Sequence, residues 1–366
     1  MFLSIDKKDF IEAVQKTAKF AQKRFSTLPV LSCILIVSNN KGIKFRATNL
    51  EVSIDFNVRG ESKSQGVVAV PAQLLQQVAS SLTKDSAVTI EQTGEMIIVT
   101  AGGAKSIIKT IPYEDFPSIP LPETNENNIV LPGSLLKTAI ESVASCASTS
   151  AVRPDLASIF LSIDSGILTT VATDSFRLAE KKQTLKTPVK NMSLLLPAKN
   201  SVEILQTIPD DEITLIIDEH QIACVWGGNT LTSRLTIGTY PDYQQIIPKE
   251  VFTETTLLKK DFETALRHTT IFSDTFQKLK VNFAPDDNTV IFSSRNADTG
   301  ESEERVSAKV KGKPIELSFN YRYLQTPISL IPTESITLTA SGIGRPLLIR
   351  GVGDTSFLYL VMPMNQ

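Results

Sequence analysis

Ala47-Thr48-Asn49-Leu50 is answered 125 residues later by Ala172-Thr173-Asp174-Ser175, and that offset organises the whole chain. Working outward, Pro29 and Leu31 meet Pro154 and Leu156 at the same spacing, and Val70-Pro71-Ala72 meets Leu196-Pro197-Ala198. The opening Lys7-Lys8-Asp9-Phe10 returns two offsets on as Lys259-Lys260-Asp261-Phe262. Phe116-Pro117, Tyr240-Pro241 and Met362-Pro363 close the successive stretches. One such match is noise, whereas an ordered series at nearly one offset marks tandem repeats. The 366 residues read as three similar domains, 1–124, 125–249 and 250–366.

Each repeat carries two apolar stripes at helical spacing. Phe10, Val14, Thr17, Ala18 and Ala21 form the first, and Leu74, Leu75, Val78 and Leu82 the second. Leu135, Leu136, Ala139, Ile140 and Val143 follow, then Val202, Leu205 and Ile208. Phe262, Ala265 and Leu266 precede Tyr323, Leu324 and a proline-broken run to Leu330. Between them lie short β-branched or alternating segments such as 32–38, 87–91, 96–100, 213–218 and 336–340, separated by Gly, Asp and Asn turns. Two helices with several antiparallel strands per repeat predict an α+β fold rather than a parallel βαβ sheet.

Composition excludes several classes. Lys+Arg 37 against Asp+Glu 39 leaves a net charge of −2, so no cationic coat covers the whole chain. Apolar runs such as 33–37 fall far short of the roughly 20 residues that cross a bilayer. Charge arrives too early after Met1 for a signal peptide. Cys33, Cys146 and Cys224 are distant and lack CxxC spacing, which predicts neither a disulfide framework nor a zinc site and suits a reducing cytoplasm. His220 sits in a turn-like Asp218-Glu219-His220-Gln221, and His268 reads as an ordinary helix residue. No phosphate-binding loop, dinucleotide fingerprint, HExxH or GxSxG is present, and no cofactor is called for. Gly102-Gly103 and Gly227-Gly228 read as hairpin turns.

Charge is nevertheless segregated. The helical windows 7–24, 71–84, 132–150, 197–209, 259–273 and 320–330 hold 13 Lys/Arg against 6 Asp/Glu, interspersed with Gln, Ser, Thr and Asn. Such faces attract phosphates without reading bases. Lys16, Lys19, Lys84, Lys259, Lys260, Arg267 and Arg322 contribute to them. At the other extreme, the apolar run 357–361 continues into Met362-Pro363-Met364, where adaptable methionines suit a peptide-accepting surface. These residues leave open an α+β enzyme and a scaffold that binds proteins alone.

The threefold repeat, Ala172-Thr173-Asp174-Ser175-Phe176-Arg177-Leu178-Ala179, Tyr240-Pro241-Asp242-Tyr243 and Val361-Met362-Pro363-Met364 together resemble the bacterial DNA polymerase III β subunits, the sliding clamps. The resemblance runs the length of the chain. It implies three domains per subunit, two subunits closed head to tail around duplex DNA, helices lining the hole and sheets outside. No chemical step is implied; the ring tethers the replicative polymerase, and clamp loader and repair proteins bind through short linear motifs.

By position, the resemblance places a partner-peptide pocket at Leu156, Thr173, Arg177, Leu178, Pro241, Gln245, Ile246, Pro346, Val361, Met362, Pro363 and Met364. An inserted motif would bury leucine and aromatic side chains there. Ser175-Phe176 stands where relatives often carry Gly-His, Gln245 where some have Arg, and Asn365-Gln366 where some end Arg-Leu. An intact pocket with altered rim preferences is expected. Arg24, with Lys23, Lys137 and Lys199, is the expected DNA contact set. The dimer faces fall on Lys105, Ile107 and Ile108, with Lys109 beside them, and on Ile271, Phe272, Glu301, Glu303 and Glu304. Lysines facing carboxylates would steer association more than they fix affinity.

Overall fold

Among the described residues a strand runs directly into a helix six times. These helices are α1 (Lys7–Ala18), α2 (Ala72–Ser81), α3 (Gly133–Ala144), α4 (Ala198–Leu205), α5 (Lys259–Thr269) and α6 (Tyr321–Leu330). The computed structural model describes residues 1–22, 28–83, 86–119, 122, 128–186 and 190–364. Lys23, Arg24, Lys84, Asn365, Gln366 and the first domain boundary at 124/125 therefore lie outside the described residues. Local chemistry explains the strand-to-helix switches. Asp6 and Asn320 cap α1 and α6 by accepting from the Lys8 and Arg322 amides at 2.9 and 3.0 Å. Pro71, Pro132 and Pro197 hold the residue before them extended and so place the strand end.

The matched tetrapeptides fold identically. Thr48 Oγ1 donates to the Val52 carbonyl and accepts from the Leu50 amide, both at 3.0 Å, while Asn49 Oδ1 takes the Glu51 and Val52 amides. In the second copy Thr173 Oγ1 donates to the Arg177 carbonyl and accepts from the Ser175 amide, and Asp174 Oδ1 takes the Phe176 and Arg177 amides. Leu50 and Ser175 occupy the left-handed region at φ 74° and 78°. A side chain with an oxygen at the second position is what lets each turn close on its own main chain.

Two compact units divide the chain differently from the repeats. The first comprises Met1–Leu136 and Lys199–Leu235. Its eight-stranded antiparallel sheet runs Ile129–Pro132, Glu212–Ile217, Gln221–Trp226, Asn229–Arg234, Val52–Val58, Gly42–Thr48, Cys33–Asn39, Gly66–Pro71. A five-stranded sheet runs Gly60–Ser64, Phe2–Ile5, Val88–Thr93, Met96–Ala101, Ala104–Lys109. Phe10, Val14, Thr17, Ala18 and Ala21 are all buried, and Phe10 meets Phe45 edge-to-face at 6.3 Å. On α2 the stripe is displaced: Ala72, Leu75 and Ala79 face inward, while Leu74 is exposed. Small alanines let α2 pack close to α1. Val202 is likewise exposed on α4, where Asn200, Ser201 and Ile204 are buried and Asn200 Nδ2 donates to Ser233 Oγ at 3.0 Å.

The second unit, Lys137–Ala198 with Thr236–Gln366, holds a nine-stranded sheet. Its order is Met192–Pro197, Ser158–Asp164, Ile167–Thr173, Arg177–Thr184, Phe357–Val361, Leu347–Gly351, Ser335–Ala340, Thr253–Leu258, Lys309–Gly312. A four-stranded sheet runs Gly300–Ser307, Thr289–Asn296, Lys278–Ala284, Ile315–Asn320. Phe262 and Phe292 lie against each other in its core.

One rule joins the repeats in both units. The third long strand of one repeat pairs antiparallel with the last strand of the next: Val52–Asp55 with Thr230–Ser233, and Arg177–Lys181 with Phe357–Val361. Each joint satisfies two rows of main-chain groups that would otherwise be open edges. The third long strand of the third repeat, Gly300–Ser307, and the last strand of the first, Ala104–Lys109, are left as sheet edges.

Candidate functional site

The Thr173–Arg177 turn ends beside the C-terminal strand, where the second unit gathers most of the expected pocket residues. The Met362 amide donates to the Phe176 carbonyl at 2.8 Å, and the Met364 amide to the Ser318 carbonyl at 2.7 Å. The terminal run is thereby docked, with Met362, Pro363 and Met364 half-buried. Met362 packs on a cluster containing Leu178, Tyr240 and Tyr243. Val361 is fully buried opposite Arg177 and Leu347, and Pro346 is buried just before that neighbouring strand. Leu156 and Thr173 are buried as well. Pro241, Gln245 and Ile246 are exposed on the short helical turn Tyr243–Ile246 and its approach, with Gln245 Nε2 donating to Asp242 Oδ2 at 2.8 Å. Tyr243 anchors that segment by donating its hydroxyl to the buried Glu180 carboxylate at 2.6 Å.

Arg177 ties this turn to α6. Its Nε donates to Asp174 Oδ2 and its Nη1 to Thr326 Oγ1, both at 2.9 Å, and the guanidinium lies 4.8 Å from the centre of the Tyr323 ring. Phe176, largely exposed, stacks beside Tyr323 at 6.4 Å. Tyr323 and Thr326 were not among the expected site residues; α6 brings them in from far along the chain, and in sequence Tyr323 shows only helical spacing. Ser175 tolerates its left-handed φ because it is short and exposed. Ser175→Val is expected to cost roughly 1–2 kcal/mol, because a β-branched side chain clashes there, whereas Ser175→Gly should cost nothing measurable in thermal unfolding.

The first unit carries a groove of ≈ 800 Å³ along α1, lined by Lys7, Lys8, Ile11, Glu12, Gln15, Lys16, Lys19, Gln76 and Gln206. Lys16 pairs with Glu12 at 2.9 Å, and Lys19 reaches Gln206 Oε1 at 3.2 Å. Of the expected DNA contacts, Lys199 is exposed and lies 3.6 Å from Glu51, and Lys137 is half-buried. Lys23 and Arg24 are outside the described residues. Lys259 is not free to meet a phosphate, since its Nζ donates to the Ile331 carbonyl at 2.6 Å.

Of the expected dimer residues, Lys105, Ile107 and Ile108 lie on the edge strand Ala104–Lys109 and Glu301, Glu303 and Glu304 on the edge strand Gly300–Ser307, whereas Ile271 and Phe272 lie on the short helical turn Thr270–Phe272, and one expectation is corrected. Lys105 and Ile107 are exposed, but Ile108 is 5% exposed and belongs to the core of its sheet, because successive strand residues face opposite sides. Ile271 is exposed and Phe272 half-buried. Glu301, Glu303 and Glu304 already lie near Arg295, Arg305 and His268 at 3.8, 3.1 and 3.4 Å. Surface pairs of this kind hold little energy and can be exchanged.

Three family models match in order: the N-terminal domain of the DNA polymerase III β subunit over 1–120, its central domain over 130–242 and its C-terminal domain over 244–365. The chain belongs to the DNA polymerase III β subunit family. The beta sliding clamp of Pseudomonas putida is 26% identical over the full length of both chains. The crystal structure of the Pseudomonas aeruginosa β subunit superposes with a TM-score of 0.94 at 26% identity, covering all of each chain. A second structure of that clamp, bound to griselimycin, gives the same score, identity and coverage. The three-domain α+β clamp fold of the family is thus the fold of this chain.

Burial pushes the Cys33 thiol up to about 11 and those of Cys146 and Cys224 to about 12. All three therefore stay protonated at neutral pH and lack thiolate reactivity. Among the described residues no cluster of metal-ligating side chains occurs, and no helix is long and apolar enough to cross a membrane.

Proposed function

We propose that the chain is a sliding clamp that performs no chemistry: two copies close head to tail around duplex DNA, and the ring tethers the replicative polymerase. The observation that carries the ring is the pair of unmatched edges. The pairing rule that joins first repeat to second and second to third leaves the third repeat's Gly300–Ser307 without a following strand and the first repeat's Ala104–Lys109 without a preceding one. A second copy supplies both. Lys105 and Lys109 of one copy then face the run of Glu301 and Glu303 in the other, with Ile107 near Ile271 and Phe272. The domains are those of the repeats, 1–124, 125–249 and 250–366.

The α1 groove and its lysine- and glutamine-rich lining support mobile phosphate contacts without base reading. A closed ring needs nothing stronger, because topology retains it while the polymerase gains effective concentration at the primer end. The pocket residues gathered around Met362 support docking of short apolar segments from the polymerase, the clamp loader and repair proteins, in the cytoplasm. Loaded on nicked circular DNA, the protein should persist until the circle is cut and then leave the ends rapidly. Equal retention on circular and linear DNA would reject the ring in favour of ordinary binding.

A further inference from the structure

The lysines of the α1 groove are held in two different ways. Lys7 Nζ donates to the Thr83 carbonyl at 3.1 Å and Lys19 Nζ to Gln206 Oε1 at 3.2 Å, both neutral oxygens that leave the ammonium charge uncompensated. Lys16 Nζ instead lies 2.9 Å from Glu12 Oε1, and Glu12 is the single acidic residue among the described residues that line the groove. The two stand four apart on α1 with the carboxylate nearer the N-terminus, the better order for such a pair. The Lys16 ammonium also lies 5.4 Å from the centre of the Phe56 ring, on a strand packed against α1, so both contacts hold it to the protein surface. The other carboxylates of this helix are engaged elsewhere: Asp6 caps it, and Asp9 pairs with Arg59 at 2.9 Å. The Glu12 and Lys16 side chains are 45% and 29% exposed, and a solvated pair of this kind adds little stability and is readily exchanged.

We infer that Glu12 is a competitor for phosphate built into the groove: it occupies Lys16 and keeps one of the four lining lysines from adding its full share to duplex binding. The inference rests on the groove being a DNA face and specifies how contact there is kept weak. A phosphate that reaches Lys16 must displace Glu12 and then sit beside a second anion, so the contact forms with little net gain. That suits a duplex in passage, whose phosphates have to be released as easily as they are taken. Removing the carboxylate frees Lys16 for a lasting phosphate contact. The signature is a gain in DNA affinity that depends on Lys16 being present.

The test compares the full chain with Glu12→Gln, Lys16→Gln and the double variant, titrated by anisotropy against a fluorescein-labelled linear duplex of about 20 base pairs across about 30–150 mM salt. Free ends remove any topological retention, so only the contacts are measured. Glu12→Gln should bind about three- to tenfold more tightly, with a log–log salt slope steeper by about one for each Lys16 released. In the Lys16→Gln background the same change should gain less than about twofold and leave the slope unchanged. Equal gains in both backgrounds would overturn the inference, because Glu12 would then act by plain repulsion of DNA. No gain in either would overturn it as well and leave the pair a helix contact alone. If the unaltered chain shows no salt-dependent binding at the lowest salt, the DNA reading of the groove is rejected and the Glu12 role falls with it.

Discussion

Ile107→Asp is expected to convert the dimer to a monomer, with the solution mass in sedimentation falling from twice 40.1 kDa to that value. The side chain is 60% exposed in the single chain, so the substitution leaves the fold intact. At a closed interface it would be covered, and burying an isoleucine there is worth roughly 1.5–3 kcal/mol. An aspartate loses that and is set beside carboxylates, where burial of an unpaired charge costs several kcal/mol more. About 4 kcal/mol per interface is close to a thousandfold in dissociation constant, and a two-fold ring meets the loss twice. Ile108→Asp separates the effects: it strikes the core of the five-stranded sheet and should lower stability itself. A dimer that survives Ile107→Asp would remove this strand from the interface. High salt alone should weaken the dimer only modestly, because the Lys105 and Lys109 partners are exposed charges that act mainly on encounter.

What could be read from the chain follows a physical line. Stripes on α1 were legible because Phe10, Val14 and Ala18 are apolar at one spacing and nothing competes with them. On α2 and α4 the expected stripes keep the buried Leu75 and Ile208 but include the exposed Leu74 and Val202, because the inward faces are completed by Ala72, Ala79 and Ser201, small residues that carry little hydropathy. The matched turns were legible because a threonine and an Asn or Asp side chain dictate their own local hydrogen bonds. Reading Ile107 and Ile108 as one face ignored the two-residue period of the strand. The resemblance names Arg177, but its ties to Tyr323 and Thr326 join parts of the chain that no local pattern connects. The joints between repeats were invisible for the same reason: pairing Asp55 with Thr230 is a property of sheet register and not of either segment.

Removing Met362–Gln366 should abolish peptide binding while the protein remains a dimer. The Met362 side chain closes one side of the Leu178–Tyr240–Tyr243 cluster, and its amide ties the tail to the Phe176 turn. Loss of one buried methionine against the peptide is worth roughly 1.5–3 kcal/mol, and Met364 with its tie to Ser318 goes at the same time. A combined loss of about 3–5 kcal/mol corresponds to a hundredfold or greater drop in affinity for a labelled short peptide with leucine and phenylalanine anchors. Val361 stays in register because its strand is paired on both sides, to Arg177 and to Leu347, so the nine-stranded sheet persists. The edge strand Gly300–Ser307 belongs to a different sheet, which is why sedimentation should still report a dimer. Unchanged peptide affinity would move the binding site away from the tail. A monomeric truncation would show instead that the tail supports the ring, so the two measurements together locate its role.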